Sequence, residues 1–298
     1  MTALTRRPGL FVLVAGTAFS LASPLARYAR PAHPMMVALG RVALAAVILS
    51  ALDPRGIAHS LRALSTRHRL AVASAGVLLA AHFALFLWGL EATSLPAAVS
   101  LVSLEPFSVV LCGWAIHGLR PRRLELMGVI AATLGAAIVA RSAGAGDHRM
   151  LGDVLVLLAV ILFGFYVSVA RMVRDVLPSQ HYAPLVYGVA ALVLAVALPF
   201  SVPAGAFMLP LHSMLAIAAL AIVPTVIGHT AVQTAARHLS PSTIALVPPA
   251  ETLGGIVIGA VALHAIPTRH ETIGALVILA GSALAVFAQR PHSGDARR

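Results

Sequence analysis

The chain has 298 residues, of which 59% are hydrophobic and only 10% are charged, and its mean hydropathy is +0.93. This composition excludes disordered, collagen-like and ordinary soluble proteins, because a soluble core of this size cannot bury so much apolar sequence. The net charge of +11 comes from 21 basic residues, all arginine, which stand at the ends of apolar runs and so do not form a nucleic-acid-binding patch.

Ten apolar stretches are long enough, or nearly so, to cross the roughly 30 Å hydrocarbon core of a bilayer as helices. In chain order they cover residues 8–26, 34–52, 70–90, 94–118, 124–140, 151–170, 182–200, 214–236, 240–264 and 272–288. The first follows Arg6 and Arg7, as a signal peptide would, but its length and the spans after it favour a retained helix. The sequence therefore predicts an all-α, polytopic membrane protein with ten transmembrane helices.

The arginines fall unequally on the two sides of the predicted membrane. With the N-terminus inside, fifteen lie in cytoplasmic segments, and the opposite segments hold Arg27, Arg30, Arg141, Arg149 and Arg269. Basic residues are retained on the cytoplasmic side of a membrane. This distribution predicts a multi-pass protein of the cytoplasmic (inner) membrane with both termini in the cytoplasm.

The chain repeats itself when it is shifted by 146 positions. The matching pairs are Ser94 and Ser240, Glu105 and Glu251, Gly113 and Gly259, Pro121 and Pro267, Arg123 and Arg269, Glu125 and Glu271, Gly128 and Gly274, Gly135 and Gly281, and Ala137 and Ala283. A weaker match pairs the first and sixth spans. We therefore divide the chain into two five-helix repeats, 1–143 and 144–298. Because five is odd, the second repeat is inverted in the membrane, which is the geometry of alternating-access transporters.

Several motifs in both halves resemble those of a known transporter family. They are Gly40-Arg41, the stretch 82–88, Thr93-Ser94, Leu104-Glu105-Pro106, the stretch 121–128, Tyr166 with Arg171, Gly228-His229, Ala250-Glu251-Thr252, and Gly274 with Gly281. With these motifs the chain resembles the EamA type of the drug/metabolite transporter (DMT) superfamily over nearly its whole length. The resemblance implies efflux of small metabolites, with amino acids, nucleobase-like compounds and lipophilic cations as candidate substrates.

Glu105 and Glu251 are the leading candidates for substrate binding. Each is predicted near the middle of its span, where an ionised carboxylate must be paired, protonated or exposed to water. They either line a cavity that binds cations or protons, or cap backbone groups freed by nearby prolines. In the second copy Thr252 stands where proline is usual in the family, which places the helix break about one turn earlier.

His82 and His229 are predicted at similar depths in the third and eighth spans. Histidine changes charge near neutral pH, so either residue suits a substrate or proton site, although a packing role is the plainer alternative. His229, Gln233 and Arg237 are four residues apart and share one helix face. This polar stripe predicts a water-accessible path from mid-membrane to the cytoplasm.

Aromatic residues and one arginine complete the candidate set. Tyr166 and Trp88 are candidates for the wall of the substrate site, with plain packing as the alternative. Arg41 lies within the second span and has no counterpart in the seventh. An intramembrane arginine must find an acid, carbonyl groups or water, so structural pairing and binding of a substrate anion both stay open.

Other functional classes fit the sequence less well. An intramembrane enzyme needs a nucleophile with a base or a metal triad, and neither G-x-S-x-G nor H-E-x-x-H occurs. A lone Cys112 offers neither a disulfide nor a cysteine metal site. We expect no cofactor and no metal. The expected partners are a small-molecule substrate, protons as a second candidate, and the lipid bilayer, while the oligomeric state is not determined by the sequence.

Overall fold

The computed structural model describes residues 9–144, 146–236 and 247–288, and every regular element within these ranges is helical. The helices are α1 (Gly9–Ser20), α2 (Ala22–Tyr28), α3 (Pro34–Leu52), α4 (Pro54–Ala63), α5 (Thr66–Ala92), α6 (Leu95–Val102), α7 (Glu105–His117), α8 (Arg123–Ala140), α9 (Met150–Ala170), α10 (Ser179–Ser201), α11 (Leu211–Leu220), α12 (His229–Ala236), α13 (Val247–Leu263) and α14 (Arg269–Ala288). A 3-10 turn occupies Ala204–Phe207, and a π-helical stretch, Ala221–Gly228, joins α11 to α12.

Within the described ranges, eight helical stretches are long and apolar enough to cross a membrane. They are Gly9–Tyr28, Pro34–Leu52, Thr66–Ala92, Leu95–His117, Arg123–Ala140, Met150–Ala170, Ser179–Ser201 and Leu211–Val232. Each overlaps one of the first eight predicted spans, so the all-α, polytopic fold is confirmed. The apolar helix Val247–Leu263 is shorter. The predicted ninth span begins among residues outside the described part, and the total of ten stays a prediction.

Polar caps set several helix boundaries that hydropathy places differently. The third predicted span starts at residue 70, whereas α5 starts at Thr66, because the Ser65 hydroxyl accepts a hydrogen bond from the His68 N–H. The fourth span starts similarly, with the Ser94 hydroxyl capping α6, and it ends at Gly118, whose φ of 68° terminates α7. The polar first turn of α5 extends beyond the apolar run, so this helix is longer than the run, whereas α6 and α7 lie within the predicted fourth span.

Two spans are interrupted where prolines predict a break, and a third is interrupted unexpectedly. In the fourth span α7 starts at Glu105, with Pro106 in its first turn, where the missing N–H is tolerated. In the eighth span Pro224 lies inside the π-helical stretch. The first span also bends, where the Leu21 N–H bonds to the Ala18 carbonyl in a tighter turn. These breaks lie well inside their spans and free backbone groups there.

Helices α8 and α14, which the repeat makes equivalent, pack backbone against backbone. A Cβ on Gly135 would lie 2.8 Å from the carbonyl oxygen of Gly274, and one on Gly281 would lie 2.7 Å from that of Gly128. Moving forward along α8 from 128 to 135 therefore moves backward along α14 from 281 to 274, so the two helices are antiparallel. Equivalent helices that run in opposite directions are what two inverted halves require.

The interior is built from small side chains, and many large ones face outward. Ala38, Ala45 and Ala75 are fully buried, whereas Leu134 and Val257 are each 59% exposed. Small residues let helix backbones approach closely, and large apolar ones on the exterior match the hydrocarbon of a bilayer. The exterior is therefore suited to lipid.

Candidate functional site

A central cavity of about 120 Å³ lies where the interrupted helices meet. Its polar lining consists of Ser23, Arg41, His82, Glu105, Tyr166, Tyr187, His229 and Glu251, and its aromatic lining of Phe19, Phe83, Phe86 and Phe163. The structure thus brings five of the predicted site residues to one place. They come from both halves of the chain.

The two carboxylates enter the cavity from the starts of two helices. Glu105 is the first residue of α7, directly after the break in the fourth span. Glu251 follows Pro248 near the start of α13, where the Thr252 hydroxyl donates a hydrogen bond to the Pro248 carbonyl at 3.0 Å. Thr252 thus satisfies one of the helix's backbone oxygens. Residues 237–246 lie outside the described part, so the predicted position of the break before α13 is not tested.

His82 is fixed so that one ring nitrogen faces a carboxylate. Its Nδ1 lies 2.9 Å from the Ala159 carbonyl oxygen, and because a carbonyl only accepts, Nδ1 donates. Its Nε2 then lies 3.8 Å from Oε1 of Glu105. The imidazole is also stacked parallel to the ring of Phe86, with an interplanar angle of 6°. His82 therefore contacts the backbone of α9 through one ring nitrogen and faces Glu105 with the other.

His229 faces the cavity from the first residue of α12. Its ring packs edge-on against Phe19, with centroids 5.2 Å apart, and against Tyr187 at 6.3 Å. The π-helical stretch immediately before it sets this orientation, because the extra residue of a π turn rotates the next helical turn about the axis.

Arg41 is the fixed positive charge of the cavity. The side chain is only 7% exposed, its Nε donates to the Thr225 hydroxyl at 2.7 Å, and its guanidinium lies 4.5 Å from the Phe83 ring centroid. The Thr225 hydroxyl in turn donates to the Leu220 carbonyl at 2.8 Å, across the π-helical stretch. Arg41 is thus structurally paired and also lines the cavity.

Tyr166 lies in the cavity wall, but Trp88 does not. Trp88 is 36% exposed and packs edge-on against His33, with centroids 6.2 Å apart. It lies six residues after His82 on the same helix, so at 3.6 residues per turn the two side chains point in different directions. Gln233 belongs to α12, but its side chain lies outside the described residues.

The sequence analysis missed two lining residues that the repeat could have identified. Tyr187 lies 146 positions after Arg41, so the seventh span does hold a counterpart, of different chemistry. Phe19 pairs with Phe163 in the weaker match between the first and sixth spans. Phe19 is an identical match to Phe163, and Tyr187 is found when non-identical positions of the two halves are also compared.

A wider vestibule of about 420 Å³ opens from the central cavity toward one end of the bundle. It shares Tyr187 and His229 with the cavity and extends past Ser179 and Gln180 to Asp53. Asp53 follows the end of α3, on the side that the arginine distribution predicts to be cytoplasmic. The vestibule therefore lies between Tyr187 and His229 of the central cavity and that side.

A serine, a histidine and an aspartate are hydrogen-bonded in series at the rim of the vestibule. The Ser60 hydroxyl lies 2.8 Å from Nδ1 of His181, whose Nε2 lies 3.0 Å from Oδ2 of Asp53. Ser60 lies inside α4 and not on a strained turn, and its carbonyl accepts the Leu64 N–H. The arrangement therefore ties α4 and the end of α3 to α10.

A buried polar cluster closes the opposite end of the bundle; we call it the end cluster. It consists of His148, Asp153 and Glu271, together with Thr93 and Ser94. Nε2 of His148 lies 2.7 Å from Asp153 Oδ2 and Nδ1 lies 3.2 Å from Glu271 Oε1, while the Thr93 hydroxyl donates to Asp153 at 2.8 Å and Ser94 donates to Glu271. Since α5 crosses the bundle from Thr66 to Ala92, this end lies opposite the vestibule.

Within the described ranges, no group of three or more His, Cys, Asp or Glu side chains is arranged to hold a metal ion.

Comparisons with known proteins agree with this architecture. The sequence model of the EamA-like transporter family matches residues 7–141 and, a second time, residues 150–287. One solved structure, titled only "Crystal structure of protein", is similar with a TM-score of 0.65 and 16% sequence identity, over 96% of this chain and 99% of that one. At this identity the likeness concerns the fold alone. No curated protein matches the sequence.

Proposed function

The chain belongs to the EamA-like transporter family and is a multi-pass membrane transporter; on that premise, we propose that it exports a small cationic or zwitterionic metabolite by alternating access of its two halves. The central cavity is the substrate site in this proposal, and the vestibule is its exit to one side of the membrane. Family members are transporters and not enzymes, which argues against the alternatives of an intramembrane enzyme and of a membrane protein without a transport function.

The observation that carries the proposal is the pairing of cavity residues across the two halves. Glu105 and Glu251 are related by the repeat, His82 and His229 are nearly so, and all four line one cavity. Inverted halves that contribute matching groups to one central site can exchange roles, so that the same groups face one side of the membrane and then the other.

The charges of the cavity favour a cation or a zwitterion. Two carboxylates face a single guanidinium, that of Arg41, so the ionised cavity carries an excess negative charge. A positive substrate group or a proton would balance it, because an unpaired charge away from water is costly. Phe163 also lines the cavity, and an aromatic ring can attract an ammonium group, whereas Arg41 already lies over the Phe83 ring. A sugar phosphate would need several basic groups, and the cavity offers one arginine.

The cavity volume indicates that the site must widen or hold only part of the substrate. About 120 Å³ equals the space of roughly four water molecules. We propose that this conformation is open toward the vestibule and closed at the end cluster. Opening to the other side would then separate Glu271 and Asp153 from the turn that holds Thr93 and Ser94.

Flux from proteoliposomes tests the proposal. Vesicles containing purified protein are loaded in turn with labelled amino acids, a nucleobase and a lipophilic cation, and flux in both directions is measured with and without a pH gradient. Flux of one class, with a response to the gradient, identifies the substrate and any coupling to protons. Dominant inward flux of that class would reject the proposed direction.

The carboxylates are tested with isosteric variants. We expect Glu105→Gln and Glu251→Gln each to lower flux at least about tenfold, as the loss of one charge-assisted contact does. Glu91→Gln is the matched control, because Glu91 lies outside the cavity and pairs with Arg30 at 2.7 Å on the surface. Wild-type flux in both cavity variants would remove the carboxylates from the substrate site.

A further inference from the structure

A second pocket, of about 430 Å³, lies away from the central cavity, at the end of the bundle where α5 begins and where α7 and α9 end. Its lining is Arg67, His68, His117, Leu119, Arg171, Met172, Arg174 and Asp175; we call it the basic pocket. Three arginines and two histidines face a single acid there. A pocket lined by this excess of basic side chains is suited to binding an anion.

The basic groups are largely free of acidic partners. Arg174 pairs with Asp175 at 3.3 Å on the surface, but among the described residues no ion pair joins Arg67 or Arg171 to a carboxylate. The Nε2 of His117 donates to the Ser168 carbonyl at 2.9 Å, which fixes that ring in the pocket wall. Two guanidinium groups are therefore available to bind the oxygens of a phosphate.

The pocket also has an apolar side. Leu119 and Met172 line it and are 47% and 40% exposed, and Trp114 and Ile116, one turn earlier on α7, are 47% and 43% exposed. A free inorganic anion gains nothing from such surface. A lipid does, because its headgroup meets the arginines while its chains lie against the exposed apolar side chains of the same helix.

The general tendency of arginines to lie on the cytoplasmic side does not account for this arrangement. That tendency places arginines on one side of the membrane, but it does not gather them around one pocket. Arg67 and His117 come from the first half of the chain and Arg171 and Arg174 from the second, so the pocket is built where the halves meet.

We propose that the basic pocket binds the headgroup of an anionic phospholipid, whose phosphate bridges Arg67 and Arg171. Basic pockets between transmembrane helices on the cytoplasmic side are sites of this chemistry. The bound lipid joins the two halves of the chain at their cytoplasmic ends.

Binding is measured on the full-length protein with phosphatidylglycerol as the probe, by native mass spectrometry of retained lipid and by the rise in Tm as lipid is added. Phosphatidylcholine and inorganic phosphate are the comparison ligands. We expect saturable binding of phosphatidylglycerol alone. Equal protection by inorganic phosphate would overturn the proposal, since it would identify a simple anion site.

A matched pair of double variants separates the pocket from the general surface charge. Each arginine near the membrane surface contributes about 1 kcal/mol, so Arg67→Ala with Arg171→Ala is expected to weaken binding about thirtyfold. Arg55→Ala with Arg62→Ala removes the same charge from α4, on the same side and outside the pocket, and is expected to have little effect. Equal losses in the two pairs would refute a specific site.

A conservative variant guards against a folding artefact. Arg67→Lys with Arg171→Lys keeps the charge and is expected to recover part of the binding, while its Tm without lipid should equal that of the wild type. Binding that stays lost although the lysine variant is as stable as the wild type would contradict a phosphate contact based on charge. None of these measurements depends on transport, so the proposed function and the lipid site can fail independently.

Discussion

Replacing His148 by alanine is expected to destabilise the protein by about 3–5 kcal/mol, which is the usual cost of removing one partner from a buried ion pair. His148, Asp153 and Glu271 are each only 1% exposed. The Nε2 of His148 lies 2.7 Å from Oδ2 of Asp153 and its Nδ1 lies 3.2 Å from Oε1 of Glu271, although the Nδ1 contact does not form a hydrogen bond, so the ring separates two buried carboxylates. Without it, two buried carboxylates face each other with no positive charge between them.

The Thr93 and Ser94 contacts do not replace the missing charge. A hydroxyl contributes one hydrogen bond to each carboxylate, worth about 1.5–3 kcal/mol with a charged acceptor. The variant keeps these bonds. Its loss of stability therefore measures the missing ion pairs together with the small cavity that alanine leaves. With roughly 2–4 °C in Tm per kcal/mol for chains of a few hundred residues, Tm is expected to fall by about 6 °C or more.

A double-mutant cycle isolates the electrostatic part of this effect. Asp153→Asn keeps the side-chain oxygen that accepts from Thr93 but removes one negative charge. Thermal unfolding of the purified protein is recorded for both single variants and for the double variant. We expect the double variant to be more stable than the sum of the single losses predicts, with a coupling of about 1–3 kcal/mol. His59→Ala, on the exposed face of α4, serves as the control, with a change within about 0.5 kcal/mol.

Two results would refute this reasoning. A loss below about 1 kcal/mol for His148→Ala would mean that the carboxylates are neutral or hydrated without the histidine. Strict additivity in the cycle would mean that His148 stabilises the end cluster by packing and not by charge.

Two further predictions concern helix packing and pH. Gly135→Ala should cost about 1–3 kcal/mol by separating α8 from α14, whereas Gly188→Ala, with no atom within 4 Å of the added Cβ, should be neutral or stabilising by about 0.5–1 kcal/mol; thermal unfolding compares the two. The backbone N–H of Gly56, and then His181, lower the pKa of the Asp53 carboxyl. The ionised carboxylate therefore stabilises the fold at pH values above its ordinary pKa of about 3.9, and this contribution is lost as pH falls through its lower pKa in the folded protein. Asp53→Asn should therefore lower Tm at neutral pH and have no effect in strong acid.

The fold followed from the sequence because a bilayer is a solvent of fixed thickness. An apolar run of about 20 residues becomes a crossing helix almost regardless of its neighbours. The repeat could be detected for a related reason, since Gly128, Gly135, Gly274 and Gly281 recur where the backbones of α8 and α14 approach closely. The carboxylates stood out because an acid inside such a run needs a special environment.

The residues that line the site could not be predicted from the sequence so directly. Trp88 was predicted in the wall of the substrate site, yet the rotation of α5 turns it toward His33 and away from the cavity. Tyr187 was not among the predicted residues, and the structure places it in the lining of the same cavity as Arg41. The end cluster joins His148 and the nearby Asp153 to Thr93, Ser94 and Glu271, which are far away in sequence, and no local pattern marks those contacts.

Hydropathy, arginine counts and repeats are properties of segments, so the sequence by itself determined the all-α membrane fold and its two-repeat organisation, and it predicted a depth for each polar residue. Which of those polar residues meet depends on how each helix is rotated about its axis, and where it bends. Packing against other helices fixes that rotation, and only the tertiary structure therefore decided that Glu105, Glu251 and Arg41 share one cavity.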